Sequence, residues 1–518
     1  MLFSSYIFLF GFLPIALALT YGVGRFRPLP KLVLTLLSLG FYAWWRPIHL
    51  PLLLGSIIFN YVVGGLIQRA YEGSRRQWVT IWLTLGVLGD LAMLGWFKYA
   101  NFVADNIDAL TGSHLDLPKI ALPLAISFFT FQKIAYLIDS ARGEARRMSF
   151  LDFSLFAAFF PQLIAGPIVH YKEVVPQLQS PLFGRLIWRN VLVGLVILSI
   201  GLFKKTVIAD TLANYVNPIF AIAGAGQKYN LLSGWLAAIT YTFQVYFDFS
   251  GYSDMAIGLA RMFGVKLPLN FHSPLRASSI IDYWRRWHMT LQRFIFAYVF
   301  QPLALALNRR AAYANLKGWS AFAVAIGFPT LITFIAVGIW HGAGWTFVLF
   351  GVMHAFYVCA NEVWREHRAR RRRALRRAGR TLPEPGFAER IGNHVLTLVA
   401  IAFANVLFRA HSVGEAFSVW AGMGGLGGGD FGAPGLGWGL LATLALCVVI
   451  VFFLPNTQQI MGRFDPAHNW SEWREVAQPP IRWTWRPSMI GLVFAGVVLF
   501  VGVMFIQRGQ AIFLYFNF

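Results

Sequence analysis

Trp340-His341-Gly342-Ala343-Gly344-Trp345 separates two apolar stretches, 320–339 and 342–363, whose basic residues lie only near their far ends. A histidine inside hydrocarbon is costly unless it pairs, lines a cavity or performs chemistry. The flanking glycines let backbone and ligand approach closely at that depth. The pattern reads as a helical hairpin that carries a reaction centre within a membrane.

The remainder of the chain agrees. Of its 518 residues 57% are hydrophobic and 13% charged, and many stretches approach the roughly 20 residues that span a bilayer. An outer-membrane barrel would show short alternating segments instead, and the sequence has none. The fold class is all-α, a polytopic transmembrane bundle of about 11–13 helices with re-entrant or interfacial segments, in one membrane domain over 1–518. Net charge is +22, but the basic residues cluster between apolar segments. There they orient the chain by the positive-inside rule and meet anionic lipid headgroups, which excludes nucleic acid as the partner. Cys359 and Cys447 both sit in apolar runs and supply neither a disulfide framework nor a metal site. The run Leu2–Tyr21 lacks a basic n-region and a cleavage site, and reads as a first span.

Candidate spans fall at 2–22, 30–46, 49–67, 78–99 and 120–139. Arg25, Arg27 and Lys31 follow the first, Arg69, Arg75 and Arg76 the third, and Arg142, Arg146 and Arg147 the fifth. The loop 101–119 instead carries Asp105, Asp108 and Asp116. This alternation predicts an extracytoplasmic amino terminus. Residues 365–390, with nine arginines between Arg365 and Arg380, read as a basic cytoplasmic loop. Spans near 391–410, 435–454 and 488–508 leave the carboxyl terminus outside as well. Pro161, Gly166 and Pro167 predict a broken or re-entrant helix in 151–169. The mixture of arginines and aromatics over 261–300 predicts an amphipathic interfacial helix.

Three constellations place ionisable or amide groups among rings and glycines, as a polar pocket in an apolar body requires. The first is Phe159–Ile168, with Gln162. The second is Tyr246–Gly258, with Asp248, Ser250, Ser253 and Asp254, continued by Asn270 and by Asp282-Tyr283-Trp284-Arg285-Arg286-Trp287-His288. The third is the His341 turn, beside Trp340. A neutral imidazole at His341 can take a proton from a hydroxyl as that oxygen attacks an acyl carbonyl. The plainer alternative, a histidine donating to a neighbouring helix carbonyl, competes with that role at His341 and more strongly at His288. His114, His170, His272, His354 and His367 carry no such signal. Asp248 and Asp254 have no third ligand at a metal spacing, and are expected to pair with Arg285, Arg286 or backbone donors and hold the pocket in shape. No Gly-x-Ser-x-Gly elbow, phosphate-binding loop, His-Glu-x-x-His or His-x-x-x-x-Asp pattern occurs at these residues.

Phe160-Pro-Gln-Leu-Ile-Ala-Gly-Pro167, Tyr246–Gly258, Trp284-Arg-Arg-Trp-His288 and Trp340-His-Gly342 resemble the membrane-bound O-acyltransferase (MBOAT) family, closest to its bacterial branch of alginate O-acetyltransferases. Leu122–Tyr136, Phe3-Ser-Ser and the closing Phe513–Phe518 are similar too. The resemblance implies a bacterial inner-membrane enzyme that takes an acetyl group from a cytoplasmic thioester, acetyl-coenzyme A, towards an extracytoplasmic polysaccharide. It also implies that the family's essential histidine is His341 and its second prominent histidine His288. A periplasmic SGNH-type esterase-like partner would place the acetyl group. Peptidoglycan O-acetylation and D-alanyl transfer are the alternatives within the family. One segment departs: relatives usually continue Arg-Asp-Tyr-Leu-Tyr…Gly-Gly-Asn-Arg, whereas this chain has Arg293-Phe-Ile-Phe-Ala-Tyr298…Asn308-Arg309-Arg310. Outside the family, the rivals are a small-solute transporter and an assembly platform for polymer export. Against a transporter, only one Pro/Gly break lies outside the His341 turn, where paired broken helices are usual.

Overall fold

The computed structural model describes residues 1–115, 117–224, 228–380, 386–428 and 437–506. Asp116, residues 429–436 of the glycine-rich stretch and Phe513–Phe518 lie outside the described residues. Among the described residues the chain forms helices and no strand. Seven helices among the described residues are long and apolar enough to cross a membrane: Pro47–Glu72, Arg76–Thr111, Trp188–Ala221, Met289–Tyr313, Gly318–His341, Trp345–Arg377 and Phe387–Arg409. Four shorter apolar helices accompany them, Ile7–Gly22, Leu29–Ala43, Trp438–Phe452 and Met489–Met504. The polytopic helical architecture is the one the sequence predicts.

At the centre stands Leu231–Met262, buried along nearly all of its length. Asn230 starts it with a reciprocal cap, its side chain accepting from the Ser233 amide at 2.8 Å while the Ser233 hydroxyl accepts from the Asn230 amide at 3.0 Å. It packs against Trp188–Ala221 through paired glycines. A methyl group added to Gly194 would meet the Gly258 carbonyl oxygen at 2.4 Å, so the two backbones touch only because no side chain intervenes. Lys204, Lys205, Asp248 and Asp254 sit in this seam and neutralise one another, as burial of charge demands.

Three local expectations are corrected. The stretch 365–390 is not a loop at its start: Trp345–Arg377 is one helix, because arginine, alanine and leucine are strong helix formers and nothing interrupts them before Gly379 (φ +68°). The acidic loop 101–119 begins as a helix too, running to Thr111 and stopping at left-handed Gly112. The segment 261–300 is not one amphipathic helix. The central helix ends at Met262, left-handed Gly264 and two prolines follow, Ser279 caps a short helix Ile280–Arg286, and Met289–Tyr313 begins anew. The break in 151–169 is present: Phe150–Ala158 and Phe160–Leu163 part at Phe159. Gln162 and Gln132 both donate to the freed Phe156 carbonyl, at 2.7 and 2.8 Å, which is how a break survives without water.

Candidate functional site

Gly318–His341 and Trp345–Arg377 form the expected hairpin. They approach through Gly338 and Gly351: a methyl on either would lie 2.2 Å from a carbonyl oxygen of the other helix. That closeness fixes the turn and delivers His341 as the last residue of its helix. The imidazole is 3% exposed, set between the rings of Trp340 (4.8 Å), Phe408 (5.0 Å) and Phe350 (6.1 Å). His341 borders a cavity of about 70 Å³ that is also lined by Trp45, Lys98, residues 122–128, Ile164 and Trp340.

Trp340 joins the two candidate histidines. One side of its indole meets His341, and the His288 ring lies 5.7 Å away. Phe131 stacks on it at 5.6 Å. His288 is wholly buried and occupies the left-handed backbone region (φ +44°). A non-glycine residue there is strained by about 1–3 kcal/mol and is held by its surroundings. Those surroundings are specific. His288 Nδ1 is 3.0 Å from Asn270 Oδ1, which also accepts from Thr290 Oγ1 at 2.8 Å. Asn270 Nδ2 donates to Ser253 Oγ at 3.0 Å. Phe249 meets the imidazole edge-on at 4.7 Å. Ser253, Asn270 and His288 thus act as one unit, tying the central helix to the start of Met289–Tyr313.

The other predicted pocket residues take different places. Asp254 pairs with Lys204 Nζ at 2.6 Å and accepts from Thr457 and Gln458. Asp248 pairs with Lys205 Nζ at 2.6 Å, and that ammonium also holds Asp210 at 2.7 Å. The expected partners were Arg285 and Arg286; the carboxylates instead meet Lys204 and Lys205, and Arg286 bonds Asp282 one turn back at 2.7 Å. The reason is reach, since Lys204 and Lys205 lie on the helix packed directly against the carboxylates. Trp287 stacks on Tyr283 at 5.6 Å and braces Phe271. Arg285 borders a separate groove of about 230 Å³, together with Trp284, Gln292, Thr333, Val337 and Glu362. Gln162 serves the helix break.

Lys98 went unread in the sequence. Its ammonium donates to the Trp340 carbonyl oxygen, with Ser127 Oγ at 3.1 Å and the His341 carbonyl oxygen at 3.5 Å. Beside it Tyr99 Oη donates to the Ile339 carbonyl at 2.8 Å. The available signal was a single ammonium closing the apolar run 78–99, which at membrane depth marks function by default. Also unread was the cluster in which Tyr298 Oη donates to Asp139 at 2.6 Å and lies 3.0 Å from His170 Nδ1. Tyr298 belongs to the segment where the chain departs from the expected pattern. Among the described residues no group of three or more metal-ligating side chains occurs.

Comparison with known proteins identifies the family. Residues 76–403 match the model of the membrane-bound O-acyltransferase family. A peptidoglycan O-acetyltransferase of Helicobacter pylori is 38% identical over 457 residues, covering 83% of this chain and 80% of the relative. A probable alginate O-acetylase AlgI of Azotobacter vinelandii is 35% identical over 460 residues, 88% of this chain and 84% of the relative. A teichoic acid D-alanyltransferase of Streptococcus thermophilus is 27% identical, over 52% of this chain and 64% of the relative.

Proposed function

The chain belongs to the membrane-bound O-acyltransferase family and is an acyltransferase, and from that premise we propose that it carries an acetyl group from cytoplasmic acetyl-coenzyme A across the bacterial inner membrane for O-acetylation of an exported polysaccharide such as alginate. The observation that carries this reading is the cavity at His341. Its volume of about 70 Å³ is roughly half that of an engineered cavity that takes up benzene, which suits a short acyl group. Arg309, Arg310 and Lys317 precede the histidine helix, so by the positive-inside rule its start is cytoplasmic and the His341 turn faces the acceptor side. Both termini are then extracytoplasmic. The groove beside Arg285 reaches Val337, about one turn short of His341, and supports entry of the donor's thioester arm from the cytoplasm.

In this mechanism His341 takes the proton of the acceptor hydroxyl as its oxygen attacks the thioester carbonyl. The carbon–sulfur bond breaks, and the proton passes to the departing thiolate. His288, held by Asn270, sets the orientation of Trp340 and assists from behind it. A periplasmic SGNH-type partner receives or places the acetyl group. Peptidoglycan is the second reading for the acceptor, favoured by the H. pylori relative.

The test is turnover of labelled acetyl-coenzyme A by the purified full chain. His341→Ala is expected to lower the rate by about 100- to 10,000-fold. Turnover that survives the change removes His341 from the chemistry. Mass analysis of the exported polymer in a deletion strain identifies the acceptor.

A further inference from the structure

Lys98 is more than a clamp on a helix end. Carbonyl oxygens at a helix C-terminus attract a cation, and its bonds to residues 340 and 341 do cap Gly318–His341. A cap leaves the formal charge uncancelled, however, and among the described residues Lys98 has no carboxylate partner. Lys204 and Lys205 answer burial differently, each set against aspartates at 2.6–2.7 Å, while the wholly buried Lys133 donates to Ser56 Oγ at 2.9 Å and lies over the Phe129 ring. Among these lysines Lys98 is the one that borders a cavity beside His341, and an ionisable group in that position at membrane depth is a functional-site candidate.

The cavity wall adds to the same field. Residues 122–128 line it, and they contain the first turn of Ile126–Ala141, whose cap Ala125 adopts a left-handed backbone (φ +61°). The amino-terminal end of a helix carries partial positive charge. Ser127 Oγ accepts from Lys98 and so keeps its own proton for donation. Ammonium, helix terminus and hydroxyl all border the space that His341 borders.

Resting on the acyl-transfer reading above, we propose that Lys98, with Ser127 and the first turn of Ile126–Ala141, binds the negatively charged oxygen that forms on the acyl carbonyl during transfer. As the acceptor oxygen bonds to the carbonyl carbon and its proton moves to His341, the carbonyl electron pair shifts onto oxygen. Lys98 and Ser127 hold that oxygen. When the carbonyl re-forms, the thiolate leaves with the electron pair of the carbon–sulfur bond and takes the proton from His341. Preformed donors aimed at such an oxygen supply a large part of acyl-transfer catalysis.

The experiment compares the parent full chain with Lys98→Met, Lys98→Arg and Ser127→Ala in lipid nanodiscs. It follows labelled acetyl-coenzyme A with an uncharged cello-oligosaccharide or a mannuronate oligosaccharide as acceptor. Lys98→Met should lower kcat by about 100- to 1,000-fold with both acceptors, leave acceptor KM within about threefold, and keep the parent melting temperature. Lys98→Arg should recover at least about tenfold of the loss, and Ser127→Ala should lose less than Lys98→Met. A kcat within about threefold of the parent overturns the proposal. So does a loss confined to KM for the charged acceptor, which would make Lys98 an acceptor carboxylate site. A loss that tracks a fallen melting temperature and is not recovered by arginine reduces Lys98 to a helix cap. His341→Ala run alongside separates the cases: if it retains turnover, the acyl-transfer reading of the cavity fails first.

Discussion

Lys98 and Lys205 are both lysines set in apolar helices, and they meet opposite surroundings. Lys205 touches two carboxylates, Asp210 and Asp248, inside the packed seam between Trp188–Ala221 and the central helix. Lys98 touches two carbonyls and a hydroxyl at the wall of an open cavity. A buried ion pair whose members are fully matched has nothing left to offer a substrate, so it holds helices in register. An ammonium matched only by dipoles remains able to attract a charge. On the proposed reading the difference separates framework from chemistry where burial does not, since His288, Asp248 and Lys205 are all deeply buried.

Three substitutions sharpen that contrast. The largest effect is expected at Lys205→Met, which strands Asp210 and Asp248. Breaking a buried pair costs about 3–5 kcal/mol, so the yield of folded protein and the melting temperature should fall steeply while the rate per folded molecule changes little. A melting temperature like the parent's would place the seam among features of no structural weight. Next is Asn270→Ala. It removes the oxygen that accepts from Thr290 and faces His288 Nδ1, leaving buried partners unmet at about 1–3 kcal/mol. Thioester turnover should drop about tenfold, whereas Asn270→Asp, which keeps that oxygen, should retain more of it. Equal rates for both variants would dissociate His288 from the reaction. The smallest effect belongs to Arg370→Ala, which breaks an exposed bond of 2.9 Å to Glu366. Exposed pairs contribute under about 1 kcal/mol, and a thermal shift beyond that range would mean the arginine helix is packed against something.

The hairpin around His341 was legible because its signal is local: two apolar runs, a turn of glycines and an aromatic beside the histidine. The same holds for the break near Pro161, whereas the contact between His288 and Asn270 was not legible, because the two lie 18 positions apart and only folding brings the amide to the ring. Partners of Asp248 and Asp254 were misjudged because nearness along the chain favoured Arg285 and Arg286. The true partners come from a neighbouring helix some 50 residues earlier. Over 261–300 the composition suggests one amphipathic helix. Pro268, Pro274 and left-handed Gly264 and His288 break that span into separate pieces. Lys98 escaped notice since a lysine that ends an apolar run looks like an anchor at the water boundary.

The helix that begins at Trp345 holds 33 residues without interruption, about 50 Å of rod at 1.5 Å per residue, against a hydrocarbon thickness of about 30 Å. Its surplus is the arginine-bearing end, where Arg371, Arg372, Arg376 and Arg377 are all exposed. Because the rod starts four residues after His341, it behaves as a depth gauge. With the guanidinium end at one membrane surface, the length of the rod fixes how far beneath the opposite surface the His341 turn lies.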